Sequence, residues 1–301
     1  MLSELLRPWS EELSNHFTDV PVPVAFGGDL EAPDPHPFPD LGHAGTRVVI
    51  LAGPGAMLDR PSLHALAQHL GTPVANTWGA KGIYPWDDPY HMGTCGLQRD
   101  DFELLGFADF DLILAIGIDP AESPTPRFAL TEVAFISPLA LDELRSQAEP
   151  RLSPSFTPNQ LSTRLAAIAQ PGYLDDSSPR HPARAVMDLK RSLGPGTRVT
   201  AQPGLAGLWV ARTFPTDRMG SVIVAAHDRP GIGAAIGLIS AAEGTDTVCV
   251  VQGPVDATTE AVMEVCAARA LPLRLEIWND DIDWSRTKDL IAAAGPVVAW
   301  T

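Results

Sequence analysis

Acidic side chains follow an apolar run near the end of the chain, and the chemistry they suggest is cation binding. Asp280 stands close behind the run 273–278, and Asp281 and Asp283 follow it. Carboxylate oxygens are preferred ligands of Mg²⁺, which needs several convergent oxygens in near-octahedral geometry. We therefore take Asp280 as the candidate metal ligand. The alternative is a solvated acidic loop, because no opposing ligand stands beside this cluster.

Two glycine-rich turns are of the type that binds anions. Gly53 and Gly55 precede one helical pattern, and Gly231 and Gly233 begin another beside Arg229. A helix N-terminus offers unpaired N–H groups and a favourable dipole, and glycine lets an anion approach the backbone closely. The sequence thus predicts phosphate or nucleotide contacts at these four glycines. The alternatives are a tight turn at the first pair and close helix packing at the second.

Polar loops follow further strand-like segments. Thr77 and Lys81 lie beyond the segment 73–75, in the position where ligands of open α/β sheets bind. Lys81 would contact a phosphate there, whereas a lone lysine is otherwise exposed to solvent. His227 and Asp228 suggest catalysis, but the sequence has no Gly-x-Ser-x-Gly segment, so a hydrolase triad is not expected. We predict no catalytic residue.

Strand-like and helical patterns alternate along the chain, which predicts parallel sheets covered on both faces. In the first half, strands are expected at 46–52, 73–75, 109–116 and 134–136, with a helix at 60–70. In the second half, strands are expected at 197–201, 221–225, 247–251, 273–278 and 297–300. Helices are expected there at 158–169, 181–193, 204–214, 232–242, 258–269 and 289–294.

Proline-rich segments divide the chain into four parts. The 29 prolines concentrate at 21–40 and 150–182, as in extended linkers. The predicted fold class is α/β, with two doubly wound, mainly parallel-sheet domains. The expected parts are a helix and extended segment at 1–45, a domain at 46–150, a linker at 151–180 and a domain at 181–301.

Composition excludes several classes of partner. The 301 residues include 37 acidic and 21 basic ones, and a net charge of −16 would repel nucleic acid and anionic lipid. With no apolar run of 18 residues and no apolar segment at the start, neither a membrane span nor secretion is expected. Cys95, Cys249 and Cys266 lack metal-binding spacing and are expected to be buried thiols of a cytoplasmic protein.

Three segments, in order and spacing, resemble the central domain of the thiamine-diphosphate enzymes, the acetolactate synthase and pyruvate decarboxylase family. They read RVVILAGPGAML, LAQHLGTPVANTWGAKGIYPWDDPYHMGTCGLQ and FADFDLILAIGIDPAES. Residues 181–301 resemble the family's pyrophosphate-binding domain less closely, with Trp209 and the helix 231–237 retained. The resemblance implies thiamine diphosphate with Mg²⁺ as a cofactor. It also implies a central domain that in some members holds FAD, ADP or coenzyme A.

The same resemblance implies that a metal ligand is missing. The family carries Gly-Asp-Gly after one strand and Asn-Asn after the next, and the Asp and the second Asn hold Mg²⁺. Here the triplet is Gln252-Gly253-Pro254, and Asp280, 27 residues beyond Gly253, stands at the second Asn position. Glycine has no side-chain oxygen, and Pro254 removes a backbone N–H from the turn. The roughly 45 residues before the central segment are also fewer than the family's pyrimidine-binding domain needs.

Three functions are compatible with these features. The first is a non-catalytic relative without a cofactor that acts as a binding or subunit protein. The second is a 2-oxo acid decarboxylase or carboligase subunit that needs a separate pyrimidine-domain chain, with Asp280 carrying the metal. The third is a nucleotide or acyl-coenzyme A binder. We also expect a homodimer through the second domain, where Trp278, Trp284 and Trp300 cluster; core packing is the alternative.

Overall fold

The protein contains two parallel β-sheets, each with helices packed against it. The computed structural model describes residues 38–39, 41, 46–151, 159–225 and 227–300. One sheet has five strands and the other has four, and every strand pair in them is parallel. The predicted α/β class with two doubly wound domains is therefore confirmed. The helix predicted near the N-terminus lies outside the described residues.

The first domain has the strand order β3-β2-β1-β4-β5. Strands β1 and β4 are buried along their whole length because every residue in them is apolar, as expected for central strands covered on both faces. The strands are β1 Val48–Ala52, β2 Val74–Thr77, β3 His91–Cys95, β4 Leu112–Ile116 and β5 Glu132–Ile136. The helices are α1 Arg60–Leu70, α2 Asp101–Leu104, α3 Thr125–Phe128 and α4 Leu141–Gln147.

The second domain has the strand order β7-β6-β8-β9. The chain changes direction across the sheet between β6 and β8, which is where open α/β sheets bind ligands. The strands are β6 Arg198–Ala201, β7 Val222–Val224, β8 Thr247–Gln252 and β9 Leu273–Trp278. The helices are α5 Gln160–Gly172, α6 Pro182–Ser192, α7 Leu205–Thr213, α8 Ile232–Ala242, α9 Ala257–Arg269 and α10 Thr287–Ala294.

Local sequence sets both ends of α1. The Asp59 carboxylate accepts a hydrogen bond from Ser62 N at 3.2 Å. Pro61 lies in the first turn, where a backbone N–H would have no acceptor within the helix, so proline is tolerated there. Gly71 ends the helix in the left-handed conformation at φ 54°. The sequence prediction of a helix at 60–70 is confirmed. It could be made because the signals that start and end this helix are local.

Two predictions about strands are wrong. Residues 297–300 form no strand: Val297 makes an isolated bridge to Gln98, and Trp300 has φ 58°. Conversely, β3 lies at His91–Cys95, where no strand is predicted. Its sequence, HMGTC, lacks the alternation of apolar and polar residues that is typical of a strand. It is a strand because it pairs with β2, with a shift in register after Val74.

The C-terminal tryptophans pack inside the chain. Trp278 is fully buried, and Trp284 lies 6.5 Å from it between ring centroids. Trp300 meets the Trp78 ring edge-on at 5.7 Å and donates from Nε1 to Ala225 O at 3.2 Å. The alternative of core packing therefore holds for these side chains. A homodimer through the second domain stays a prediction.

A buried ion pair joins the two domains. Arg212 on α7 donates to both carboxylate oxygens of Asp101 at 2.6 and 2.7 Å, and neither side chain is exposed. Arg212 also donates to Gln98 Oε1 at 3.1 Å and to Thr94 O at 2.9 Å. Because burial removes the hydration of both charges, these additional hydrogen bonds are needed to hold the pair.

Helix α5 bridges the domains within the segment expected to be a linker. Leu161 packs in a core cluster of the first domain, and Ile168 packs against the core of the second. The three cysteines are free and buried, as the sequence predicts. Of the helices that the structure describes, none is long and apolar enough to cross a membrane.

Candidate functional site

The carboxyl ends of three second-domain strands bring the candidate turns together. Gln202 follows β6, Gly253 follows β8 and Asn279 follows β9. Helices α8 and α9 begin at the same side, because each leaves a parallel strand through a short loop. We refer to these loops, with the first turns of α8 and α9, as the second-domain edge. It contains the predicted residues Gly231, Gly233 and Asp280.

Position 253 has no room for a side chain. A Cβ atom built on Gly253 would overlap Asn279 Oδ1 and would lie 2.9 Å from Asn279 Cγ. Gly253 N donates to Trp278 O at 3.1 Å, which ties this turn to the end of β9. The Asn279 amide thus fills the volume into which a side chain at 253 would project. An aspartate there would require Asn279 to move.

The N–H groups at the start of α8 already have side-chain acceptors. Gly231 N donates to Asp256 Oδ2 at 3.1 Å, and Gly233 N donates to Gln202 Oε1 at 2.9 Å. Anions bind a helix N-terminus through such N–H groups. In this protein, both N–H groups are instead bonded to oxygens of its own side chains.

Further hydrogen bonds hold both acceptors in place. Asp256 also caps α9, where it accepts from Thr259 N at 2.9 Å and from Thr259 Oγ1 at 3.0 Å. The Gln202 amide donates to Arg229 O at 2.7 Å. A ligand that displaced Asp256 or Gln202 would break these hydrogen bonds as well, so displacement of either side chain is costly.

The predicted metal ligand lies on the exposed rim of the edge. Asp280 is exposed, while Asp281 pairs with Arg180 at 2.8 Å and Asp283 accepts from Ser285 Oγ at 2.6 Å. Among the residues placed in the structure, no three His, Cys, Asp or Glu side chains converge as a metal site would require. The Asp281 carboxylate thus belongs to an ion pair, and the Asp283 carboxylate stabilises a turn.

The residues of the second-domain edge do not fit a magnesium diphosphate. The space at Gly253 is filled by Asn279, and the helix N–H groups bond to Asp256 and Gln202. A carboxylate at the α8 terminus would repel the diphosphate that the family resemblance implies. Binding roles for Gly231, Gly233 and Asp280 stay predictions.

The glycines after β1 touch the turn after β4. Gly55 N donates to Gly117 O at 2.9 Å, and Gly53 N donates to Ile116 O at 2.9 Å. A Cβ on Gly55 would lie 2.9 Å from Gly117 Cα, and one on Gly53 would overlap Gly117 O. Glycine therefore lets two backbones approach each other, and these two N–H groups are already bonded. Nucleotide binding at Gly53 and Gly55 stays a prediction.

Thr77 and Lys81 lie in the protein interior. The Thr77 hydroxyl lies beside Glu122. Glu122 Oε1 accepts a hydrogen bond from Gly79 N at 2.7 Å, and burial raises the Glu122 pKa to about 8. Lys81 is only 5% exposed, and its amine makes no hydrogen bond or ion pair with any described residue. Burial, followed by the charge of Arg212, lowers the Lys81 pKa to about 7. The expectation that a lone lysine faces solvent is therefore wrong.

Sequence reasoning missed the polar residues that follow β4. Glu122 Oε2, Ser123 Oγ and Trp78 Nε1 are buried without a hydrogen-bond partner in the described part of the chain. Nearby, His227 Nε2 lies 2.8 Å from Asp119 Oδ2, across the domain junction. The sequence signal that could have revealed these residues is the run of acidic and hydroxyl residues at the carboxyl end of an apolar strand.

Comparison with known proteins identifies the first domain. Residues 43–137 match the family model of the thiamine pyrophosphate enzyme central domain. The chain is 29% identical over 121 residues to the probable 2-ketoarginine decarboxylase AruI of Pseudomonas aeruginosa, covering 40% of this chain and 20% of that protein. It is 26% identical over 203 residues to the probable acetolactate synthase large subunit of Methanocaldococcus jannaschii, covering 56% of this chain and 34% of that protein.

These similarities extend over a limited part of each relative. The chain spans 20% of the length of the first protein and 34% of the second. The family match nevertheless includes all five strands of the first sheet, from β1 to β5. The first domain of this chain is therefore similar to the central domain of the thiamine-diphosphate-dependent enzymes.

Proposed function

We propose that this protein is a non-catalytic relative of the thiamine-diphosphate enzymes and acts as a binding or subunit protein. The observation that carries the proposal is the hydrogen bond from Gly231 N to the Asp256 carboxylate at the start of α8. A built-in negative group occupies the place where a helix N-terminus would attract a diphosphate. On this proposal, the Asp256 carboxylate disfavours binding of the cofactor.

The size of the electrostatic effect supports this proposal. Two unit charges 4 Å apart interact by about 4 kcal/mol at an effective dielectric constant of about 20. Repulsion of that size between Asp256 and a diphosphate would lower affinity by on the order of a thousandfold. No metal at position 253 offsets the loss, because glycine has no ligand atom.

Titration calorimetry with thiamine diphosphate and Mg²⁺ tests the proposal. We expect no saturable heat from the full chain up to about 1 mM cofactor, the range of very weak binding. A thiamine-diphosphate enzyme titrated in the same buffer shows that the cofactor is active. Micromolar binding by this chain would refute the non-catalytic proposal.

A second candidate function is a catalytic subunit completed by a separate pyrimidine-domain chain. It is favoured by similarity to a decarboxylase and to a synthase subunit, and by Asp280, whose exposed carboxylate is accessible to such a partner. Affinity purification that recovers that chain, with decarboxylation of a 2-oxo acid by the complex, would select this candidate. Inactivity of the purified complex would reject it.

We also propose a homodimer that uses the second domain. Trp284 is half-buried beside Trp278, so part of its ring remains available to a second copy. Light scattering at tens of micromolar is expected to give twice the chain mass, and Trp284→Ala is expected to lower it. A strict monomer would contradict the proposal, and an unchanged Trp284→Ala dimer would place the interface elsewhere.

A further inference from the structure

A cleft of about 590 Å³ lies where α5, the loop that follows it and α10 meet. This volume is in the range of about 300–1,000 Å³ that is typical of small-molecule sites. Ile168, Pro171 and Ala292 form an apolar part of the lining. Of the lining residues, only Arg286 lies in the connection from β9 to α10, and none is among Gly231, Gly233, Gly253 and Asp280. The cleft is therefore a separate feature of the molecule.

Arg286 brings a positive charge to the cleft with most of its donors unused. Its Nε lies 3.1 Å from Asp289 Oδ2, yet both atoms are buried and neither makes a hydrogen bond. Arg286 forms no other ion pair with the residues that the structure describes, and 41% of its side chain is exposed. A guanidinium with free Nη groups in a cleft is suited to bind a carboxylate.

His181 adds a second donor. The residue is 2% exposed, and its Nδ1 accepts a hydrogen bond from Ala183 N at 3.0 Å. Burial, followed by the charge of Arg286, lowers the His181 pKa, so the ring is neutral at pH 7 with its proton on Nε2. That N–H has no acceptor among the described residues. His181 lines the same cleft as Arg286.

Two carboxylates line the same cleft as this guanidinium, and one of them, Asp289, lies 3.1 Å from Arg286 Nε. Asp175 and Asp289 are both lining residues, and Asp175 accepts a hydrogen bond from Ser177 N at 2.9 Å. A purely anionic ligand would meet these two negative groups, and a purely cationic ligand would meet Arg286. A ligand that carries both charges pairs with both kinds of group. The charge pattern thus selects a zwitterion.

We infer that this cleft binds a zwitterionic α-amino acid with an apolar side chain. Its carboxylate bonds to Arg286 and His181, and its ammonium group lies against Asp175 and Asp289. Its side chain contacts the apolar lining. This inference is independent of the proposed function, because it involves neither the cofactor nor the residues Gly231, Gly253 and Asp256 on which that proposal rests.

Calorimetric titration of the full chain with three related probes tests the charge requirement. L-leucine has both charges, L-leucinamide keeps only the ammonium, and 4-methylpentanoate keeps only the carboxylate. We expect L-leucine to bind at least about tenfold more tightly than either of the other two. Absence of saturable L-leucine binding, or equal binding of one fragment, would overturn the inference.

Charge-removing variants test the site itself. Arg286→Gln is expected to weaken L-leucine binding at least about tenfold and to leave L-leucinamide binding unchanged. Arg145→Gln is the matched control, because the Arg145–Asp142 pair has the same i,i+3 spacing and 42% exposure of its arginine. Ala292→Trp is expected to block the cleft without changing its charge. Wild-type L-leucine affinity in Arg286→Gln or in Ala292→Trp, with thermal unfolding unchanged, would place the ligand elsewhere.

Discussion

The side chain of Asn279 occupies the space beside Gly253 in which a family aspartate would lie. The two positions end neighbouring strands, β8 and β9, that pair in parallel up to Gln252 and Trp278. Close approach here follows from sheet geometry, because the carboxyl ends of adjacent parallel strands meet at one edge. Asn279 stands at the first position of the family's Asn-Asn pair, and its amide fills the space that glycine leaves at position 253.

Gly253→Asp should destabilise the protein. The new side chain must displace the amide of Asn279, which is exposed and can turn away, so we expect a cost of about 1 kcal/mol. Asn279→Gly in the same chain should recover much of the loss, giving a favourable coupling energy in a double-mutant cycle. Urea denaturation measures the free energies of unfolding.

The control for this substitution is Gly194→Asp. A Cβ at Gly194 meets only Thr197 Oγ1 at 3.6 Å, which is ordinary contact, so we expect little change in stability. Equal effects of the substitutions at 194 and 253, or no coupling with Asn279→Gly, would contradict the structural relationship.

Asp101→Asn should strongly destabilise the junction between the domains. It leaves the Arg212 guanidinium buried without a counter-charge, a loss of about 3–5 kcal/mol for pairs of this kind. Asp142→Asn, in an exposed pair with Arg145, is expected to cost less than about 1 kcal/mol. Chemical denaturation of both variants compares them. Similar values would show that the buried pair is not needed to hold the domains together.

Glu122 should make stability depend on pH. Burial raises its folded-state pKa from 4.5 to about 8, so the folded protein holds a proton that the unfolded chain releases. The contribution of Glu122 is therefore fully present below pH 4.5 and is lost as pH rises towards 8. Glu122→Gln keeps an acceptor for Gly79 N and should remove this loss.

Unfolding curves measured between pH 5 and pH 9 test this expectation; that range includes most of the interval between the two Glu122 pKa values. Relative to wild type, Glu122→Gln should gain stability as pH rises, whereas Glu132→Gln, at an exposed glutamate, should follow the wild-type curve. Lys81 affects stability in the opposite direction. Because its pKa is lowered, its contribution to the free energy of unfolding grows as pH rises above about 7. Parallel curves for wild type and Glu122→Gln would contradict a raised Glu122 pKa.

Nucleotides should not stabilise the protein through Gly53 and Gly55. Both N–H groups already donate to the turn after β4, at Ile116 O and Gly117 O. A ligand at a hundredfold excess over its Kd would add about 2.7 kcal/mol to stability, which a thermal-shift assay detects. We expect no shift with ADP, FAD or coenzyme A. A clear shift that Gly55→Ala abolished would restore the nucleotide-binding alternative.

Much of the fold followed from the sequence because its signals are local. Uniformly apolar runs such as β1 and β4 predicted buried parallel strands, and the helix predicted at 60–70 has local capping residues, Asp59 and Gly71, at its ends. Glycine at position 253 was also readable, since a glycine cannot ligate a metal in any fold. These properties depend on residue type and spacing alone.

The contacts that distinguish this protein depend on residues distant in sequence. Asp256 reaches Gly231, Gln202 reaches Gly233 and Asn279 reaches position 253 only because parallel strands align their carboxyl ends. For the same reason the sequence did not reveal β3, the burial of Lys81 or the turn at 297–300. Each is decided by packing against a second segment, and local composition does not encode which segment that is. The sequence thus determined the central-domain pattern of the first half, whereas tertiary structure decided that Asp256, Gln202 and Asn279 contact Gly231, Gly233 and Gly253.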